Sequence, residues 1–481
     1  MKRLLAICAA LAAAAATSAP EPLLMGYLGG SGTDDCDGIT LDRAGDIYLG
    51  CHSDSPDFPR LPAKAPPTSN ASMDAVVVKI DGRTGNIVWA TRTGGSDWDA
   101  AGELEVAKDG SVYVLGQTQS ADFPTTSDAV QRKFAGPRRD LFVLKLDTTG
   151  KIVYSTLLGG SKNDEPGGFA VADDGTVYVS GTTWSEDFPG VRARFGPGGG
   201  APDGFIACLR PGDPKSLQSV LIGGKGRDPV SGLALDHAGN LFASGATSSS
   251  DFPLKNPLQA HLGGELDGFL MKLRLSDWSL LFSTYLGGSK LDLVMAVALD
   301  SAGNPIVFGT TGSDDFPTTP GAYQRQRRGN YDAFVTKLDR DGGRIIWSTH
   351  YGGSTEGPGP YDNGSMAVDE HGRVWIDGMT AATDLPTRNE FQSSYGGGYL
   401  DGFLAALSPD GSKLCYGTYV GGPGQDLLEG IAVGNGKVYA SGISASKNLA
   451  QKNWRVQSGY GGGPFDAMVI GLTMPSDQAC R

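Results

Sequence analysis

Histidine is scarce in this chain: five occur among 481 residues. No two cysteines stand in a CxxC spacing. Together these two facts exclude the common structural zinc modules. Positive charge is also short. Lys and Arg number 40 against 53 Asp and Glu, a formal charge of −13. That balance argues against a protein that tracks nucleic-acid phosphates. There is no HExxH, no GxSxG and no Walker loop, so the familiar hydrolase and nucleotide signatures are missing. His52, His237, His261, His350 and His371 are scattered along the chain. Long helical periodicity is absent, and beyond the first residues no apolar run could span a bilayer. What is abundant is glycine, with 72 residues, alongside 40% apolar residues. That is enough apolar material for a sizeable core, and it excludes disorder driven by charge.

The N-terminus reads as an export signal. Lys2 and Arg3 precede an uncharged run from Leu4 to Ala16, and Thr17-Ser18-Ala19 offers small residues for cleavage. This is the order of a secretory signal. Residues 1–19 are therefore expected to be a signal peptide, and 20–481 a single domain. The expected location is the periplasm, the cell surface or the exterior, where disulfides persist. Cys36 and Cys51 flank the first inner hairpin, and Cys415 and Cys480 fall on one face; both pairs are possible disulfides. Cys208 takes a place held elsewhere by Lys79, Lys145, Lys272 and Lys337, and is expected to be free.

A repeat organises the chain. Gly-Gly pairs begin at residues 29, 94, 159, 223, 287, 352 and 421. A second landmark is an Asp opening an apolar run, as in DAVVVKI at Asp74, DGFLMKL at Asp267 and DAMVIGL at Asp466. A third is Asp-Phe-Pro at Asp57, Asp122, Asp187, Asp251 and Asp315, relaxed to Asp384-Leu385-Pro386 in the sixth copy. The seventh copy has Asn448-Leu449-Ala450 at that place. Each period holds four short, β-branched or aromatic strand signals bounded by Gly, Asp and Pro. Seven such periods predict an all-β, seven-bladed β-propeller with four antiparallel strands per blade. LLMGYLGG from Leu23 matches the fourth-strand segment LFSTYLGG from Leu281, whereas the last copy stops after its third strand. The ring is therefore expected to close by the N-terminal strand joining the last blade, which leaves no open sheet edge.

The order YLGGS-x-x-D, A-x-D-x-x-G-N-x-Y-V-x-G-x-T, DFP and D-A-F-V-x-K-L resembles the bacterial SBBP repeat family. The resemblance covers residues 23 to 472. It implies an exported bacterial seven-bladed propeller and brings no catalytic residues with it. Copies six and seven depart from it at the third landmark, and copy six carries an insertion near Tyr361.

Candidate sites follow from the expected strand order. Long loops between second and third strands share one face, called the upper face here, and long loops on a rigid face are where binding residues gather. One Asp per copy stands just ahead of the inner strand: Asp34, Asp99, Asp164, Asp228, Asp292, Asp362 and Asp426. They form either an acidic rim for cations or sugar hydroxyls, or turn-closing carboxylates that satisfy backbone N–H groups. Calcium is conceivable there, although it needs six to eight oxygens at one point; no other cofactor is indicated. Trp98, Tyr361 and the arginines Arg325, Arg327 and Arg328 could form a lopsided ligand surface. The Phe of each Asp-Phe-Pro is expected to anchor its loop. These features favour a non-catalytic binding or scaffold protein, a monomer whose ligand is polysaccharide or protein, with no nucleic acid and no membrane span after cleavage. The competing class is a polysaccharide-acting hydrolase or lyase with acidic residues around the central channel.

Overall fold

Gly, Asp and Pro interrupt the chain every few residues, so the apolar segments between them fold as short strands rather than helices. The computed structural model describes residues 22–61, 72–198, 202–236, 238–354, 364–475 and 480. Seven sheets form around a ring, each built on four antiparallel strands, and in six of them those four follow one another in sequence. Blade 1 runs Asp34–Leu41, Ile47–Ser53, Asp74–Ile80 and Ile87–Thr93. Blades 2 to 6 repeat this plan from Asp99, Asp164, Val230, Asp292 and Met366. The first strand of each blade neighbours the first strands of adjacent blades, so these strands line the axis. Blade 3 adds a fifth strand, Val191–Phe195, parallel to its outer strand Asp213–Ile222.

Blade 7 closes the ring. Asp426–Gly434, Lys437–Ser444 and Asp466–Thr473 supply three strands, and Leu24–Leu28 supplies the fourth. The register pairs Leu24 with Gly471 and Leu28 with Ala467. Tyr27 is buried, its hydroxyl donates to the Ser446 carbonyl, and the Leu449 N–H donates to that hydroxyl at 2.8 Å. Trp454 Nε1 donates to the Tyr27 carbonyl at 2.5 Å. Tyr285 and Tyr419 hold the same place in blades 4 and 6, donating to Ser249 and Ala382 carbonyls at 2.6 and 2.7 Å.

The core lies between blades. Phe142, Phe205, Phe269 and Phe334 open the third strands and are fully buried. The Phe of each Asp-Phe-Pro packs on them: the ring centroids of Phe123–Phe142, Phe188–Phe205, Phe252–Phe269 and Phe316–Phe334 are 4.3–4.6 Å apart. The loop phenylalanines are thus anchors. Gly116 makes this packing possible in blade 2, since a Cβ there would fall 2.1 Å from the Phe142 ring. Cys36 is bonded to Cys51, and Cys415 to Cys480, while Cys208 is free.

Candidate functional site

The Gly-Gly landmark and the Asp four residues later build one local device. Gly30 N donates to Asp34 Oδ2 at 2.7 Å, and Ser55 Oγ donates to the same oxygen at 2.7 Å. The pattern recurs with Asp99, Asp164, Asp228, Asp292 and Asp426, whose Gly N–H groups donate over 2.6–2.8 Å. Ser120, Ser185, Ser249, Ser313 and Ser446 supply the matching hydroxyls. The preceding Gly must lack a side chain, because a Cβ on Gly29 would lie 2.5 Å from Asp34 Oδ2. All six aspartates are fully buried. They sit inside the turns they close and do not open onto the channel mouth. Burial pushes the carboxyls of Asp34, Asp99, Asp164 and Asp292 up to about 6, against the lowering effect of these donors. In each, one carboxylate oxygen is committed to the Gly N–H and Ser O–H of its own turn. Asp362 and Tyr361 lie outside the described residues.

The next residues along the same strands do converge. Asp35 and Asp37 flank Cys36 on the inner strand of blade 1, and His52 follows Cys51 on its neighbour. Strand alternation turns all three away from the buried disulfide. His52 Nε2 lies 3.7 Å from Asp35, and Nδ1 lies 3.9 Å from Asp37. Glu429 of blade 7 reaches the Asp35 carboxyl from across the ring closure. Burial, then the charges of Asp37 and Glu429, hold the Asp35 carboxyl well above the usual carboxylate range.

Two further carboxyls extend this field. Glu103 lies on the inner strand of blade 2, and the surrounding protein, with Asp37 nearby, pushes its carboxyl up to about 7. Asp377 in blade 6 is buried, accepts from Ser365 N at 2.6 Å, and is also pushed up to about 7, chiefly by burial with a contribution from Glu103. Asp35, Asp37, Glu103, Asp377 and Glu429 thus form one coupled acidic field drawn from four blades.

Trp98 stands beside this cluster, half-buried, with its ring 5.8 Å from His52 and the Arg139 guanidinium 6.0 Å over its face. Arg139 also reaches Glu165 at 3.4 Å. The copy-five arginines are held elsewhere: Arg327 pairs with Asp314 at 2.5 Å and Arg328 with Asp384 at 3.6 Å. The structure therefore joins Trp98 to Arg139 and His52, and pins Arg327 and Arg328 to acids of blades 5 and 6. Asp35, Asp37, His52, Glu103, Asp377 and Glu429 escaped the repeat analysis because none is a repeat landmark. The pattern Asp-Cys-Asp opposite Cys-His carried the available signal.

No helix among the described residues is long and apolar enough to cross a membrane. The regulatory protein FlaEY of Caulobacter vibrioides is 27% identical over 364 residues, covering 71% of this chain and 36% of that protein. The chain thus spans about a third of that relative's length. Among solved structures, BamB from Moraxella catarrhalis matches with a TM-score of 0.38 and 12% identity, over 91% of this chain and 85% of that one. A protein of unknown function from Dyadobacter fermentans matches with a TM-score of 0.42 and 13% identity, over 95% and 100%. The WD40 β-propeller domain of Doa1 scores 0.44 at 10% identity, over 95% and 98%. The SBBP family model, a β-propeller repeat, matches residues 153–189. That segment runs from the outer strand of blade 2 to the Asp-Phe-Pro of blade 3, and its landmarks recur around the ring: the chain is a seven-bladed β-propeller with one segment that matches the SBBP repeat.

Proposed function

We propose that this protein is an exported, non-catalytic binding or scaffold propeller, and that its upper mouth recognises polysaccharide. The observation that carries the reading is the grouping of the Trp98 ring, Arg139 and His52 beside the carboxylates of the channel. An aromatic plane stacks on the apolar face of a sugar, while charged groups take its hydroxyls. The basic, apolar and small-residue order of residues 1–19 and the two disulfides support export. A glycan array followed by titration of the best ligand tests the reading. W98A is expected to weaken binding at least tenfold with its melting temperature little changed. Equal binding by W98A, or binding to no glycan at all, overturns it. A protein ligand on the same face would fit a relative that is a regulatory protein.

A second reading has its own support. Glu103 and Asp377 are two carboxyls pushed up to about 7, the charge of Glu103 adding to the shift at Asp377, as an acid held ready near neutral pH would be. That reading is a polysaccharide hydrolase or lyase. New reducing ends or unsaturated products, lost in E103Q, would favour it over binding alone.

A further inference from the structure

We propose that Asp35, Asp37 and His52 form a binding site for a divalent ion of the zinc class. One donor atom from each of Asp35, Asp37 and His52 lies within 4.8 Å of the other two. A tetrahedral shell with bonds of about 2.0–2.1 Å holds its donors roughly 3.3 Å apart. His52 Nδ1 lies 3.9 Å from Asp37, too long for a hydrogen bond and close to that spacing.

A second observation is independent of the clustering. Asp35 Oδ1 and His52 Nδ1 are shut off from solvent and have no hydrogen-bond partner. Buried polar atoms without partners are costly, and a cation between them would satisfy both. The site is also built rigidly. Asp35 and His52 are register partners, and the register shifts between Asp35 and Gly38, so Asp37 falls within a bulge. The Cys36–Cys51 disulfide, with its Cα atoms 3.9 Å apart, ties the two strands where the donors project. An imidazole among carboxylates selects the zinc class over calcium, which takes oxygen alone.

The test uses the full chain with its disulfides intact, stripped with EDTA and titrated with zinc chloride. One equivalent is expected to bind. D37N and H52A are each expected to weaken binding by about tenfold or more, and H371A, at an exposed imidazole in blade 6, to leave it unchanged. D37N is nearly isosteric, so its melting temperature in EDTA should match the parent and separate lost binding from lost folding. Cobalt chloride gives a second readout. It should produce visible bands and quench Trp98, which packs on His52, with the quench missing in W98F. Substoichiometric zinc uptake, uptake that survives both D37N and H52A, or uptake of calcium in preference to zinc would each overturn the proposal. None of these outcomes depends on whether the mouth binds a glycan.

Discussion

Tyr27 is the most informative single residue for the claim that a distant segment completes blade 7. Its side chain is 1% exposed, and its hydroxyl both donates to Ser446 and accepts from Leu449 N at 2.8 Å. Truncation to Ala removes a buried ring, worth about 3–5 kcal/mol. It also leaves the Leu449 N–H without its partner, worth about 1–3 kcal/mol more. Tyr27→Ala should therefore cost about 4–8 kcal/mol, and Tyr27→Phe only the second part, about 1–3 kcal/mol. Equilibrium urea unfolding followed by fluorescence measures both. Tyr285→Phe supplies the internal standard, because Tyr285 makes the same bond at 2.6 Å within a blade whose four strands are continuous in sequence. If the closing strand is as integral as a continuous one, the two Phe substitutions cost the same within about 0.5 kcal/mol. Tyr399, 63% exposed, is the surface control. A Tyr27→Ala variant no less stable than Tyr399→Ala would refute the closure argument, whatever the other substitutions did.

Three other outcomes follow from the same geometry. Phe252→Ala should lower stability by about 3–5 kcal/mol, because Phe252 is buried 4.6 Å from Phe269; a smaller change in the urea midpoint would show that the loop is not anchored there. Acidification should stabilise the protein. Burial holds Asp99, Asp164 and Asp292 up to about 6, and Asp401 and Glu105 up to about 7. The native state thus keeps protons that the unfolded chain has already released. The contribution of these groups is fully present at about pH 4 and is lost as pH rises toward 7, while carboxyls held low by backbone N–H donors, such as Asp57, Asp122 and Asp187, lose theirs below that range. Thermal melts in EDTA should give a higher Tm at pH 5 than at pH 8, and the reverse order would contradict the assigned burial effect. Removing the Cys36–Cys51 bond in a C36A/C51A variant should cost about 3 kcal/mol for a loop of 15 residues, read by urea unfolding. It should also loosen zinc binding, since the donors flank both cysteines.

The ring was legible because its causes are local and repeated. A Gly that leaves room for a carboxylate, a Ser that donates to it and a Phe that folds back on the next strand each demand a particular residue type. Each demand recurs at a fixed interval. Leu23 to Gly30 could be placed beside the last blade for the same reason: it spells an outer strand where no blade precedes it. The turn aspartates were legible in position, and the structure adds that their side chains point inward. Sequence spacing fixes where a carboxylate stands along a turn but not whether three donors have turned it into the protein.

The channel mouth was hidden for the opposite reason. Asp35, Asp37, His52, Glu103 and Glu429 occur once each, on strands whose repeated positions attract the eye instead. Their meeting depends on the ring closing, since Glu429 and Asp35 are far apart in sequence and become neighbours only when the last blade abuts the first. Strand alternation still offered a way in. Two cysteines facing each other across a hairpin force Asp35, Asp37 and His52 onto the opposite face of the same two strands. In a propeller whose landmarks serve the fold, the residues that break the repeat and share one face of a cross-linked hairpin are those left free to bind. The two proposals would put zinc and glycan at neighbouring points, since Trp98 packs beside His52. A glycan whose affinity rises on zinc addition in the parent, but not in D37N, would show the two sites acting together; equal affinity in both would show them to be independent.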